Sequence, residues 1–103
     1  MGVGDVLFTY IYLDPVNPPR EVMLQWYDGS WEHRAYWGAS LISWANGGGF
    51  GGRNMGALPP TGQWVRLDVP AALVGLEGRM VNGVAFTLYD GRATWDYTGK
   101  QAP

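Results

Sequence analysis

The sequence has no cysteine, one histidine and few charged residues, and each shortage removes a class of chemistry. The 103 residues include 0 Cys and 1 His, and 16% are charged. Without cysteine the chain has no disulfides, no thiolate metal ligands and no thiol nucleophile. With His33 as the one imidazole, a Ser-His-Asp triad has a single candidate base and a transition-metal site lacks ligands. We therefore expect no resident transition metal and no cysteine-dependent activity.

Clustered basic charge and long apolar runs are also missing. The formal net charge is −2, and the 7 basic residues are scattered rather than gathered into a stripe. Binding to a phosphate backbone therefore has little electrostatic support. No apolar run approaches the roughly 18 residues that span a bilayer, and the N-terminal residues lack a basic stretch followed by an apolar one. We expect a soluble chain with no nucleic-acid partner and no membrane insertion.

Glycine, proline and aromatic residues, by contrast, are abundant. The chain contains 16 Gly and 7 Pro, and 15% of its residues are aromatic. This composition is typical of short aromatic strands joined by many turns. A chain of this length supports one hydrophobic core. We predict a single all-β domain over residues 1–103, excised from a larger protein.

The stretch 21–38 has the pattern of one β-hairpin. The Asp28-Gly29 pair suits a two-residue type I′ turn, and aromatic-rich runs flank it on both sides. This turn would place Trp26 opposite Trp31 and fix the register of the whole hairpin. Side chains then alternate between an apolar face and a polar face. The apolar face would carry Val22, Leu24, Trp26, Trp31, His33, Ala35 and Trp37, and His33 would be a hydrogen-bonded core residue.

The polar face of this hairpin is the predicted binding surface. Its tyrosine rings, amide, arginine and carboxylates suit either plain solvent contact or recognition of a flat polar ligand such as a sugar. Trp44, beside the glycine-rich run, is a further candidate, since an exposed indole can stack on a pyranose or anchor a protein partner. The candidate ligand-binding residues are Gln25, Tyr27, Glu32, Arg34, Tyr36 and Trp44.

Three other segments contribute to the predicted sheets. Residues 5–14 alternate with apolar side chains on both sides, as in a strand covered on both faces or one whose outer face meets a partner. Residues 64–69 alternate as a strand with one buried side, and Trp64 is ambiguous between the two sides. A second Asp-Gly turn at residues 90–91 predicts another hairpin, in which Phe86 faces Trp95 and Tyr97 shares the apolar face with Trp95.

Together these elements predict an antiparallel β-sandwich of jelly-roll type with about six or more strands. Both hairpins sort into one apolar and one polar face, as a sandwich requires. Residues 71–78 are expected to form a single helical turn that ends at Gly75 or Gly78. The stretch 39–63 either hides a short strand around residues 41–44 or is a functional or mobile loop, with residues 47–52 its most mobile part.

The C-terminal half resembles the closing strands of galactose-binding-like jelly-roll domains. The features that carry the resemblance are a strand starting at Trp64, a Val-Pro turn at residues 69–70, a VNGVAF strand at residues 81–86 and a last strand bearing Trp95-Asp96. The pattern is similar to accessory domains of large bacterial surface proteins, including Rhs-repeat proteins. The resemblance implies a non-catalytic carbohydrate-binding-module fold outside the cell. Trp95-Asp96 is the one pair on a matching motif, and its role in the family pattern is either binding or structural.

The sequence favours binding over catalysis. Glu21 and Glu32 share the polar face, but the predicted register separates them by about 13 Å, which is too far for a glycosidase pair. A calcium site built from Asp5, Asp14 or Asn17 with loop carbonyls is left open; no other cofactor is expected. We predict a module without enzymatic activity that binds polysaccharide at the cell surface. The alternative is a structural or protein-interaction domain of a larger bacterial surface protein, in contact with its neighbouring domains.

Overall fold

The protein is an all-β sandwich of two sheets. The computed structural model describes residues 1–42 and 51–103. A three-stranded sheet has the order β5-β1-β7 and a four-stranded sheet the order β4-β3-β2-β6. All strand pairs are antiparallel except β3 with β4. The elements are β1 Val6–Leu13, β2 Glu21–Tyr27, β3 His33–Gly38, β4 Arg53–Asn54, β5 Trp64–Pro70, a 3-10 helix Ala71–Val74, β6 Gly83–Tyr89 and β7 Ala93–Gln101.

The hydrophobic core lies between the two sheets. Alternate residues of β1 and β2 point inward and are removed from water, as the period of two along a strand requires. Trp26 is only 3% exposed, which confirms the predicted inner face of the first hairpin. The fully or nearly fully buried core residues are Leu7, Ile11, Leu13, Val22, Leu24, Trp26, Ala35, Trp37, Leu67, Val69, Ala71, Val74 and Leu76.

The register of the first hairpin differs from the prediction by two residues. Trp26 pairs with His33 and not with Trp31. Because side chains alternate with a period of two, this slip leaves the residues of β2 and β3 on their predicted faces. The cause is Asp28, whose side chain is only 1% exposed and forms an ion pair with His33. With Asp28 turned inward, the connection spans residues 28–32, so that Trp31 leaves the core and is 39% exposed.

The predicted second hairpin is wrong, although its turn chemistry is right. Asp90 and Gly91 have φ of 62° and 68°, the left-handed values of a type I′ turn. The strands on either side nevertheless join different sheets, since β6 pairs with β2 and β7 pairs with β1. The rings of Phe86 and Trp95 still meet, with centroids 4.8 Å apart, but the contact runs between sheets. Strand β6 takes the edge position beside β2, and β7 takes the one beside β1. The alternation of apolar residues does not encode which strand each of them pairs with.

Several smaller expectations can be compared with the structure. The helical turn over residues 71–74 ends at Gly75 with φ of 72°, as predicted. The glycine-rich stretch contributes one short strand, β4. Trp44 and most of the segment 47–52 lie outside the described residues. Within the described part of the chain, no helix is long and apolar enough to cross a membrane.

Candidate binding surface

The predicted polar face of the hairpin is covered by the chain that follows β3. Tyr36 is 8% exposed and Gln25 is 7% exposed. Ile42 folds back over this face and forms a small apolar cluster with Met23 and Tyr36. The face does point away from the main core, but the expectation that its residues contact solvent is wrong at these positions. Tyr36 therefore offers no flat ring surface to a sugar.

Glu21 links the segment that follows β3 to the sheet through hydrogen bonds. Its side chain is fully buried, and Oε1 accepts hydrogen bonds from the backbone N–H groups of Leu41 at 2.6 Å and Ile42 at 2.9 Å. Two N–H donors on one carboxylate oxygen are charge-assisted and stronger than neutral hydrogen bonds. The acidic residue at the start of β2 therefore has a structural partner.

The other candidate residues of the hairpin have local partners as well. The side-chain amide of Gln25 donates to Thr87 Oγ1 at 3.0 Å, and Arg34 donates to the carbonyl of Gly51 at 2.9 Å. Tyr27 is half-buried against the ring of Trp31, whose centroid lies 5.1 Å away. Glu32 remains exposed, with its carboxylate 3.7 Å from Arg34. The structure thus does not assemble the five predicted residues that it describes into one open surface.

An exposed aromatic surface lies instead on the outer side of the sheet β5-β1-β7. We call it the aromatic face. Its exposed or half-exposed members are Tyr10, Tyr12, Trp64 and Tyr97, and the ring of Phe8, which is 8% exposed, packs beneath Tyr10 and Tyr97. Tyr12 pairs with Trp64 across β1 and β5, and their ring centroids are 5.7 Å apart. The rings of Tyr10 and Tyr97 lie nearly parallel, at 14° and 6.0 Å. Trp64 is 51% exposed and Tyr97 is 71% exposed.

A bulge in β7 places Tyr97 on this face. The pairing of β1 with β7 shifts between Phe8 and Tyr10, and Tyr97 has a φ of 47°. A bulge inserts one residue and reverses the alternation beyond it. Tyr97, predicted on the inner apolar side with Trp95, consequently lies outside against Phe8, at 5.4 Å between centroids. A prediction that assumes strict alternation along β7 therefore places Tyr97 on the wrong face.

Arg66 supplies a fixed charge in the middle of the aromatic face. Its guanidinium lies 4.2 Å from the ring centroid of Phe8, a cation–π distance. Nε donates to Asp68 Oδ1 at 2.6 Å and Nη2 donates to Gln101 Oε1 at 2.6 Å. The hydrogen bond to Asp68 raises the pKa of Arg66 above its ordinary value, although burial acts in the opposite direction. The face therefore combines aromatic rings with oriented polar groups.

The sequence carried a signal for the aromatic face. The apolar alternation on both sides of residues 5–14 indicated that the outer face of β1 is either covered or in contact with a partner. Trp64 was ambiguous between the two sides of its strand, because Val65 and Leu67 settled only the inner side. The side-by-side arrangement of β1, β5 and β7, which gathers the rings, depends on sheet order. The alternation of residues along a strand predicts which face of the sheet a side chain lies on. It does not predict which strand lies beside it.

Asp28, His33 and Arg79 form an ionic cluster beneath the hairpin loop, in which the Asp28 side chain is buried and that of Arg79 is half-exposed. Asp28 Oδ2 lies 2.9 Å from His33 Nε2 and 2.8 Å from Arg79 Nη2. His33 Nδ1 contacts the carbonyl oxygen of Val74. Burial opposes ionisation of Asp28, but the charges of His33 and Arg79 together hold its pKa below the ordinary value. Both ring nitrogens of His33 are engaged by neighbouring protein groups, which is the arrangement of a structural cluster.

The residues considered for calcium do not converge. Asp5 and Asp14 flank β1 at opposite ends, about 30 Å apart at 3.3 Å per residue. Asp5 accepts from Gly2 N and Lys100 Nζ, while Asp14 accepts from the backbone N–H groups that follow it. Among residues 1–42 and 51–103, no group of three or more carboxylate or imidazole side chains could hold a metal ion.

Comparisons with known proteins do not add a relative whose site could be transferred. No family model, curated protein or solved structure matches this chain. The resemblance of the C-terminal half to galactose-binding-like domains accordingly stays a prediction. Of its one matching pair, Trp95 packs against the core and Asp96 accepts a hydrogen bond from the N–H of Tyr97.

Proposed function

We propose that the domain is a non-catalytic module that binds polysaccharide through the aromatic face. The observation that carries this proposal is the group of four exposed or half-exposed rings, Tyr10, Tyr12, Trp64 and Tyr97, on one side of one sheet. Exposed aromatic residues of this size are unusual outside binding surfaces when they form one contiguous patch. Their tyrosine hydroxyls make the patch amphipathic, which suits a ligand with both C–H surfaces and hydroxyl groups.

The spacing of the rings supports an extended ligand. Tyr10 and Tyr12 are two residues apart on β1, so their Cα atoms are separated by about 7 Å. Trp64 and Tyr97 widen the row on the flanking strands. Several consecutive sugar units of a chain could therefore contact rings at once. Polar groups that could bond to sugar hydroxyls border the row at Arg66, Asp68, Thr94, Asp96 and Gln101.

This proposal moves the binding site from the hairpin to the opposite sheet. Gln25, Arg34 and Tyr36 are assigned structural roles because the segment after β3 covers them. Tyr27 and Glu32 keep access to solvent but lack a contiguous row of rings. A location outside the cell, in an accessory domain of a larger surface protein, remains part of the proposal and rests on the sequence resemblance alone.

A protein-interaction domain is the second candidate function. The same patch contains Phe8 and Trp64, and large aromatic residues together with arginine are enriched where proteins bind one another. The two candidates differ in ligand. If the ligand is a polysaccharide, the isolated domain should bind it in solution. If the ligand is a protein, the aromatic face should not bind sugars.

A glycan array followed by affinity electrophoresis separates the candidates. Purified protein is applied to an array of neutral and acidic glycans, and retardation is then measured in gels that contain each soluble polysaccharide that binds. We expect retardation by at least one polysaccharide, and we expect Trp64→Ala to weaken it about tenfold to a hundredfold. Absence of binding to every glycan at millimolar site concentrations would favour the protein-interaction domain.

A further inference from the structure

The two sheets separate along the edge formed by β6 and β7. These strands follow each other in the chain, but each lies at the end of a different sheet. They touch near their connecting turn through Phe86 and Trp95. Toward the other end they part, and an open cleft of about 680 Å³ lies between Val84 on β6 and Gly99 on β7. Ligand sites of small molecules have volumes of roughly 300–1,000 Å³.

The depth and the outer wall of this cleft are apolar. Leu7 and Trp26, both buried core residues, form its depth. Met80, which is 80% exposed, and Val84, which is 37% exposed, form the outer wall together with Val81. Val84 is on the inward face of its strand, so its exposure means that the sandwich is not closed here. An aliphatic chain in the cleft would remove this apolar surface from water.

Positive charge is concentrated at the mouth. Arg79 and Lys100 both line the cleft, and their side chains are 56% and 54% exposed. Their counter-charges lie deeper, because the side chains of Asp28 and Asp5 are only 1% and 5% exposed. Each cation uses one nitrogen atom for its ion pair, and a guanidinium or ammonium has further N–H donors. Solvent at the mouth therefore meets two cations and few accessible carboxylates.

We propose that this cleft binds a linear aliphatic carboxylate, with the carboxylate at Arg79 and Lys100 and the alkyl chain between Met80 and Val84. The ligand class follows from charge complementarity at the mouth and from an apolar interior that reaches the core residues Leu7 and Trp26. An extended peptide, by contrast, carries side chains on both sides and needs a regular row of main-chain partners. This site is separate from the aromatic face and does not depend on polysaccharide binding.

Isothermal titration calorimetry with dodecanoate below its micelle-forming concentration tests the proposal on the intact chain. We expect saturable binding of about one molecule per chain. Dodecyltrimethylammonium has an alkyl chain one carbon longer and the opposite charge, and we expect it to bind at least about tenfold more weakly. Decanoate is two methylenes shorter than dodecanoate. Each methylene removed should weaken binding about fourfold, so decanoate should bind about sixteenfold more weakly. Lack of saturable dodecanoate binding, or equal binding of the cationic analogue, would overturn the proposal.

A matched pair of variants locates the ligand. Val84→Glu puts a carboxylate in the outer wall and should weaken dodecanoate binding more than tenfold. Val16→Glu makes the same chemical change in the β1–β2 loop, at a residue that is 91% exposed and does not line the cleft, and should leave binding unchanged. Thermal melting establishes that both variants fold. The comparison of dodecanoate with its cationic analogue uses the unmodified chain and does not depend on the variants. Equal affinities for the two folded variants, or binding by an alternating apolar peptide but not by dodecanoate, would contradict the assignment.

Discussion

Asp28 lies within 2.9 Å of His33, and this contact accounts for the hairpin register. The Asp-Gly pair that signals a tight turn in the sequence serves a second purpose in the fold, because its carboxylate enters the protein instead of facing solvent. Burial of an unpaired charge would be costly, and Arg79 adds a second cation at 2.8 Å. The loop lengthens to residues 28–32 to accommodate that inward orientation.

The first prediction is loss of stability in acid. The pKa of Asp28 is lowered in the folded state, as are those of Asp5 and Asp14. When the pH falls below about 4, these carboxyls take up protons in the unfolded chain first, so the free energy of unfolding decreases toward their folded-state pKa values. Urea denaturation between pH 7 and pH 2 should show this decline. A flat profile below pH 4 would contradict it.

Asp28→Asn isolates the contribution of the ionic cluster. This variant should be less stable than the parent at pH 7, because His33 and Arg79 lose their negative partner. Its stability should decline less steeply below pH 4, since the titrating group is gone. Asp90→Asn is the control, because that side chain is 59% exposed and the turn conformation there suits asparagine. The control should follow the parent profile.

The second prediction compares two tryptophans of one hairpin. Trp26→Ala should lower the free energy of unfolding by about 3–5 kcal/mol, because a large, nearly fully buried ring leaves a cavity. Trp31→Ala should change it by less than about 1 kcal/mol, since the ring is 39% exposed in the loop. Chemical denaturation measures both. Similar values for the two would mean that the structure assigns the inner face incorrectly.

The third prediction concerns the segment that covers the hairpin. Glu21→Ala removes the acceptor of two backbone N–H groups and should cost about 1–3 kcal/mol. Hydrogen exchange at the amides of Leu41 and Ile42 should accelerate strongly. Glu32→Ala, at a side chain that is 71% exposed, is the control and should leave both amides protected. Unchanged protection in Glu21→Ala would show that the segment is held by other contacts.

The sequence predicted the fold class and the faces of individual strands more reliably than the arrangement of strands. Alternation placed Val22, Leu24 and Trp26 in the core, and an error of two residues in the register preserved these positions. Which strands pair with each other was harder to predict. The Asp90-Gly91 turn can have the same local conformation whether its flanking strands pair with each other or join different sheets. The inward carboxylate of Asp28 depends on Arg79, which is 51 residues away in the chain.

Burial by the segment that follows β3 explains the result for the predicted site. The hairpin residues are polar enough to face solvent, and nothing local shows that Ile42 returns to cover Met23 and Tyr36. As a consequence, Tyr36→Ala is expected to reduce stability, and it no longer tests sugar binding cleanly. The aromatic face arises in the opposite way, since β1, β5 and β7 bring together rings from three separate parts of the sequence.

The affinity of three tryptophan and tyrosine variants for one polysaccharide tests the central claim most directly. Trp64→Ala and Tyr97→Asn each remove a ring from the aromatic face, and asparagine tolerates the positive φ at residue 97. Trp31→Ala removes an exposed ring from the hairpin side and is the control. Affinity electrophoresis in the best-binding polysaccharide should show dissociation constants raised about tenfold to a hundredfold for the first two variants and unchanged for the third. Loss of binding in Trp31→Ala, with Trp64→Ala and Tyr97→Asn binding normally, would contradict the account.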